Sequence, residues 1–213
     1  MNAHGFSFKR IKKRPGKAPD EREYHKAQRR LADLHAQEQA GKLELMFADA
    51  AGFALGQIQQ YAWQHKDEPL RIDALSHRQR LNVIGFFSHV STKQTFHSTV
   101  FEKSIDDRCM IAAVDDMLRC RKSRLPLVIV IDNAPYHHTD EMLEAQERWK
   151  KRNVSIEYLP AYSPKLNTIE LLWKFIKYYW LPLEAFYSFR NLRTHLYAIL
   201  NGIGKEYRIT FVN

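Results

Sequence analysis

Between residues 20 and 200 the spacing of apolar positions switches repeatedly between helical and strand periods. From Asp20 to about Gly41 the pattern predicts a polar helix, with Asp20 as N-cap, Glu21 and Glu23 in the first turn, Leu31 and Leu34 on one face, and Gly41 as the stop. Short β-rich runs at Leu43–Asp49, Arg80–Ser88 and Thr95–Phe101 predict three strands. A helix is expected from Ile105 to Arg121, where Ile111, Val114 and Leu118 recur at helical spacing. Pro126 then leads into Leu127–Ile131, an unbroken apolar run that implies a strand buried on both faces. A helix at Thr139–Lys151, a strand at Ser155–Leu159, a helix from Asn167 to about Trp180 and a last helix at Arg190–Leu200 complete the order. This order predicts a mixed five-stranded α/β sheet with helices on both faces and the first and fourth strands adjacent at its centre.

Three carboxylates hold notable places in that frame. Asp49 is expected at the end of the first strand, ahead of Ala50, Ala51 and Gly52, and Asp132 directly after the buried fourth strand. The carboxyl ends of such strands favour ligand sites. A strand-end Asp is also an ordinary turn former, bonding the next backbone amides. Glu170 has its own structural explanation, because Asn167-Thr-Ile-Glu170 fits a capping box with Asn167 as N-cap and Glu170 at N3. Adjacency of the two Asp-bearing strands weakens these separate explanations. Two neighbouring carboxylates repel, and hard divalent ions with oxygen ligands resolve the conflict. Asp49, Asp132 and Glu170 are therefore expected to hold two hard divalent ions, a pairing suited to phosphodiester transfer.

The chain has 213 residues and a formal net charge of +9, which points to a polyanionic partner and to nucleic acid ahead of acidic membranes. Gly5 to Pro19 concentrates Lys9, Arg10, Lys12, Lys13, Arg14 and Lys17 in what reads either as an extended basic linker or as a solvated tail. Lys174 and Lys177, together with Lys150, Lys151 and Arg152, are expected to flank the carboxylates with phosphate-binding charge, unless they simply form a solvated helix face. His137 and His138 lie close to Asp132, and either one is expected to contact DNA or position a carboxylate, or else to be an ordinary loop residue. No His-x-x-x-His pair beside a Glu and no Cys-x-x-Cys supports zinc, and no glycine-rich phosphate loop supports an ATPase. Cys109 and Cys120 lie three turns apart on one expected helix, too far to bridge. With no bilayer-length apolar run and no signal-peptide pattern, a cytoplasmic location is expected.

Asp132-Asn-Ala-Pro-Tyr-His137 and Leu159-Pro-Ala-Tyr-Ser-Pro-Lys-Leu-Asn-Thr-Ile-Glu170-Leu-Leu-Trp173 closely resemble the second and third catalytic blocks of the mariner-related insertion sequence 630 transposases. Phe47-Ala-Asp49-Ala-Ala-Gly-Phe53, Tyr61-Ala-Trp63 and Arg80-Leu-Asn-Val-Ile-Gly-Phe86 look like the first block. The resemblance implies a ribonuclease H-like domain at 42–213, preceded by a basic linker and polar helix at 1–41. It also implies a DDE triad of Asp49, Asp132 and Glu170, magnesium or manganese, and cut-and-paste movement of a DNA element. The implied partners are duplex DNA, as terminal inverted repeats and target, and a second copy of the chain. The 37 residues at 133–169 are a gap compatible with the family, whereas Ala50 and Thr168 depart from it, where acidic and proline residues are frequent. The family's N-terminal helix-turn-helix modules have no counterpart here, so we expect either a separately encoded helix-turn-helix subunit or a truncated copy. The competing readings are an inactive remnant that only binds DNA or dimerises, and a different nuclease of the same fold acting on hybrids or branched DNA.

Overall fold

In the computed structural model the described residues are 19–55, 79–90, 93–134 and 137–209. The expected basic segment carrying Lys9, Arg10, Lys12, Lys13 and Arg14 lies outside them, as does Tyr61-Ala-Trp63. The first element is α1 (Glu21–Gln39), capped by the Asp20 carboxylate, which accepts from the backbone N–H groups of Arg22 and Glu23 at 2.9 and 3.0 Å. It ends where Gly41 takes φ +67° and the Lys42 amide closes back on the Gln37 carbonyl.

The strands β1 (Glu44–Ala54), β2 (Arg80–Val90), β3 (Lys93–Phe101), β4 (Leu127–Ile131) and β5 (Val154–Tyr158) form one sheet in the order β3-β2-β1-β4-β5. Pairing is antiparallel among β3, β2 and β1, and parallel among β1, β4 and β5. The mixed sheet and the central β1–β4 pair are as the sequence pattern implies. One boundary differs in a way that matters. β1 does not stop at Asp49 but continues five residues further against β2, with Asp49 opposite Gly85. Its pairing with β4 does stop early, at Phe47 opposite Val130.

The parallel strands need crossover helices, and α2 (Asp107–Cys120) and α3 (Asp140–Lys150) supply them. Both run opposite to β4, so they begin at the end of the sheet where β4 finishes and terminate at the end where it starts. Side chains alternate across the sheet and sort into two cores. Met46, Ala48, Ile84, Phe86, Ile129 and Ile131 pack with Met110, Ala113 and Met117 of α2 and Met142 and Trp149 of α3. Ile111, expected on this buried face, is only half-buried at its edge. On the other face Leu45, Phe47, Phe53, Val83, Phe87 and Val130 pack with α1, with α4 (Ile169–Phe175) and with α5 (Phe189–Gly202). The helix expected from Asn167 to Trp180 is α4 followed by a π-helical turn at Ile176–Trp180, in which the Leu181 amide reaches the Ile176 carbonyl. Cys109 is buried and Cys120 exposed, and both are free thiols.

Candidate functional site

Strand parity explains how the three carboxylates meet. Odd positions of β1 and even positions of β4 face α4, so Asp49 and Asp132 project to the side that carries Glu170. Continuing the Phe47–Val130 register by two residues places Asp132, just past the end of β4, level with Asp49. Ile169, Leu172, Trp173 and Ile176 bury the inner face of α4, which leaves Glu170 on its first turn at the border of that face.

Burial, then the negative charge of Glu170 and, more weakly, of Asp132, pushes the Asp49 carboxyl up from 3.8 to about 7. Glu170 is also raised, mainly by desolvation and less by Asp132, while the ammonium of Lys177 pulls it the other way. The same burial depresses Lys177, whose charge is favoured by Glu170 and Asp49 and opposed by Arg80. Among the described residues no three His, Cys, Asp or Glu side chains already stand close enough to hold an ion. Asp132 is engaged elsewhere: its Oδ1 accepts from the Ala134 amide at 3.3 Å and lies 3.1 Å from His137 Nε2. An all-oxygen donor set with an uncompensated negative charge, strong enough to hold a proton on Asp49 near neutrality, fits a hard divalent cation.

The surrounding side chains hold the carboxylates in place. His137 is 1% exposed and lies against Asp132 and not solvent. Its carbonyl accepts from the Tyr158 hydroxyl at 2.9 Å, which ties the Asp132 loop to β5. Asn167 is not the N-cap of α4; Thr168 occupies that place without a side-chain cap bond. The Asn167 carboxamide, 4% exposed, instead donates to the Ala48 carbonyl at 3.1 Å and ties the start of α4 to the strand beside Asp49. The capping-box explanation of Glu170 therefore fails. Trp173 lies across Gly85, where an added Cβ would come within 2.7 Å of the indole. From there its N–H faces Asp49 and favours the ionised carboxylate, although it makes no hydrogen bond of regular geometry.

A cleft of about 460 Å3 opens beside these groups, with Asp132, Asn133, Asn167 and Glu170 on its wall and Tyr162 on its rim. Tyr162 is half-exposed at φ +59°, a left-handed conformation that costs a bulky residue about 1–2 kcal/mol. Lys174 is exposed on the outer face of α4, whereas Lys177 lies 5.4 Å from the Phe53 ring centroid, within the π turn. Arg80 is a neighbour that the sequence pattern did not single out. Its guanidinium lies over Gly52, where any Cβ would overlap it, so the glycine in an otherwise apolar strand was the available signal. Lys150, Lys151 and Arg152 do not flank the carboxylates. They end α3, and α3 descends to the opposite end of the sheet.

Solved structures of similar fold include the Mos1 strand transfer complex (TM-score 0.58, 11% identity, covering 92% of this chain and 58% of that one). They also include the Mos1 mariner paired-end complex with Mn (TM-score 0.60, 11% identity, 92% and 60% covered) and the catalytic domain of Mos1 mariner transposase (0.54, 11%, 87% and 84%). A stretch of 74 residues is 30% identical to the uncharacterized protein y4pE/y4sA of Sinorhizobium fredii (strain NBRC 101917 / NGR234), covering 35% of this chain and 50% of that protein. The chain thus spans half to three-fifths of the length of these longer relatives. No helix among the described residues is long and apolar enough to cross a membrane. The family model described as DDE superfamily endonuclease matches residues 44–193, a span that contains all three carboxylates, and the chain belongs to that family.

Proposed function

We propose that this chain is the catalytic part of a transposase of the mariner-related insertion sequence 630 type, cutting and joining duplex DNA with Mg2+ or Mn2+. The observation that carries this reading is the convergence of Asp49, Asp132 and Glu170 on one sheet face, with burial and mutual charge lifting Asp49 to about 7. Asp49, Asp132 and Glu170 would hold the metals, which supply Lewis-acid stabilisation and an activated oxygen nucleophile when bound. His137 fixes the Asp132 carboxylate, Trp173 favours the ionised form of Asp49, and Asn167 holds α4 against β1. Arg80, Lys174 and Lys177 take the phosphates next to the scissile bond, with Lys177 moving from Glu170 toward DNA once the carboxylates have a cation. The basic segment Lys9, Arg10, Lys12, Lys13 and Arg14 extends that contact. End recognition is assigned to helix-turn-helix modules supplied by another subunit, and synapsis of two ends to a homodimer, in the cytoplasm.

The test is manganese-dependent nicking of a duplex carrying the element ends, with the helix-turn-helix subunit added, in native and Asp132→Ala chains. Nicking lost in the variant supports the reading. Equal nicking by both sinks it, and salt-sensitive DNA binding without metal uptake or cleavage in the native chain identifies an inactive remnant. Preferential cutting of RNA–DNA hybrids points to another nuclease of the fold.

A further inference from the structure

The end of the sheet remote from the carboxylates carries its own chemistry. α2 and α3 both terminate there, and the loops that follow them, at 121–126 and 151–153, return the chain to β4 and β5. Arg121, Ser123, Arg124 and Arg152 line a cleft of about 250 Å3 between these loops. The guanidinium of Arg121, its side chain only 10% exposed, is fixed by Glu44 at 2.6 Å and by the Leu125 carbonyl. Arg152 is held by a bond to the Leu118 carbonyl at 3.3 Å. Lys122, Arg124 and Lys151 project outward and, among the described residues, meet no carboxylate at ion-pair distance.

Helix capping alone does not account for this charge. Each helix C-terminus presents about half a negative charge, so the two helix ends and Glu44 together offset about two of the five cations at Arg121, Lys122, Arg124, Lys151 and Arg152. About three positive charges are left over around an open cleft in which the Arg121 guanidinium is already fixed and exposed Arg152 is tethered by one backbone bond. Planar guanidinium forks held in this way match phosphate oxygens, and the outer lysines extend the charge beyond the cleft to either side.

We propose that this arginine cleft is a second phosphodiester-binding site, which takes the backbone of a duplex DNA segment other than the one at the carboxylates. The five residues of β4 separate the two ends by about 17 Å, and the ends face opposite ways, so one phosphate run cannot serve both. The choice of DNA over another polyanion rests on the proposed transposase reading, in which an element end and a target must be held by one assembly.

The test uses the full chain with Lys122→Gln, Arg124→Gln and Lys151→Gln combined, since these exposed side chains have no carboxylate partner among the described residues. Anisotropy titration with a short mixed-sequence duplex at several salt concentrations reads the slope of log affinity against log salt. The expected result is a slope shallower by about 2–3 in the variant, at about 0.9 per phosphate contact, and loss of the second duplex bound per chain at low salt. An unchanged slope and stoichiometry overturn the proposal, and so does a variant that loses binding to poly-glutamate but not to DNA. Asp132→Asn separates the two readings. It should abolish nicking and leave the remote site intact, whereas a native chain that never nicks but shows the slope change refutes the endonuclease reading alone.

Discussion

The two ends of the central sheet are built from the same strands and carry opposite charge. Where β1 and β4 diverge, Asp49, Asp132 and Glu170 share one side of the sheet within each other's electrostatic reach, and burial with mutual repulsion keeps a proton on Asp49 up to about pH 7. Where β4 and β5 begin, Arg121, Arg124 and Arg152 gather at the ends of two helices, and among the described residues only Arg121 has a carboxylate partner. Parallel pairing produces this polarity. Crossover helices must run against the strands, so their C-terminal ends and the cations that favour them collect at one end, while the strand termini that present side chains to a cleft collect at the other. The acidic end needs cations before it can approach a phosphate, and the basic end does not.

The largest effect that would break this contrast lies at the acidic end. Asp132→Asn and Glu170→Gln should each lower metal-dependent nicking by roughly 1000-fold or more, a barrier increase of about 4 kcal/mol. Nicking within tenfold of native in either variant would remove that carboxylate from the proposed chemistry.

Next comes stability in metal-free buffer. The folded state binds the Asp49 proton more tightly than the unfolded chain, so between about pH 4 and 7 it holds more protons and loses stability as pH rises. The contribution is fully present below the unfolded value near 3.8 and is gone above the folded value near 7. Asp49→Asn does not titrate, so its stability relative to native should grow from pH 4 to pH 8, by roughly 2–4 kcal/mol. Denaturant midpoints across that range measure it, and added Mn2+ should narrow the gap by stabilising the native carboxylate. A flat difference would mean that the acidic end is not electrostatically strained.

How far these ends could be read from the chain depended on the kind of signal. The apolar run Leu127–Ile131 and the period changes around it made β4 and the crossover helices legible, because burial on both faces leaves few alternatives, whereas the adjacency of Asp49 and Asp132 came from the order of elements as a whole. The extension of β1 was hidden. Ala50, Ala51 and Gly52 look like loop residues, yet they continue β1, and at Gly52 the Arg80 guanidinium leaves no room for a side chain. Asn167 read as an N-cap because its spacing to Glu170 fits one, and only the long-range bond to Ala48 shows otherwise. The charge at Lys150–Arg152 was visible, but its end of the sheet was not, since that follows from the direction of α3.

Smaller effects test the packing that aims the acidic end. Gly85→Ala would push a methyl against Trp173 and Phe96, at 2.7 and 2.8 Å, so it should cost about 1–3 kcal/mol in a denaturant titration. Trp173→Phe keeps most of the packing but loses the N–H that favours ionised Asp49, so the pH dependence attributed to Asp49 should move to higher pH. An unmoved profile would show that the indole only fills space.

The smallest effect concerns Lys174, which shares the acidic end with Lys177 but not its surroundings. Lys177 is half-buried, near Phe53 and within the field of Glu170 and Asp49, so its charge is already partly used when DNA is absent. Lys174 is exposed on the outer face of α4, where a phosphate contact would replace only water and counterions. Lys174→Gln should therefore reduce the salt slope of duplex binding by about one and weaken affinity uniformly across sequences, leaving metal uptake unchanged. Lys177→Gln should instead alter metal affinity as well, because it removes the ammonium whose charge favours ionised Glu170. If the two substitutions change slope and metal affinity alike, the distinction between a solvated DNA contact and a counter-charge to the carboxylates fails. The contrast between the sheet ends would then reduce to net charge alone.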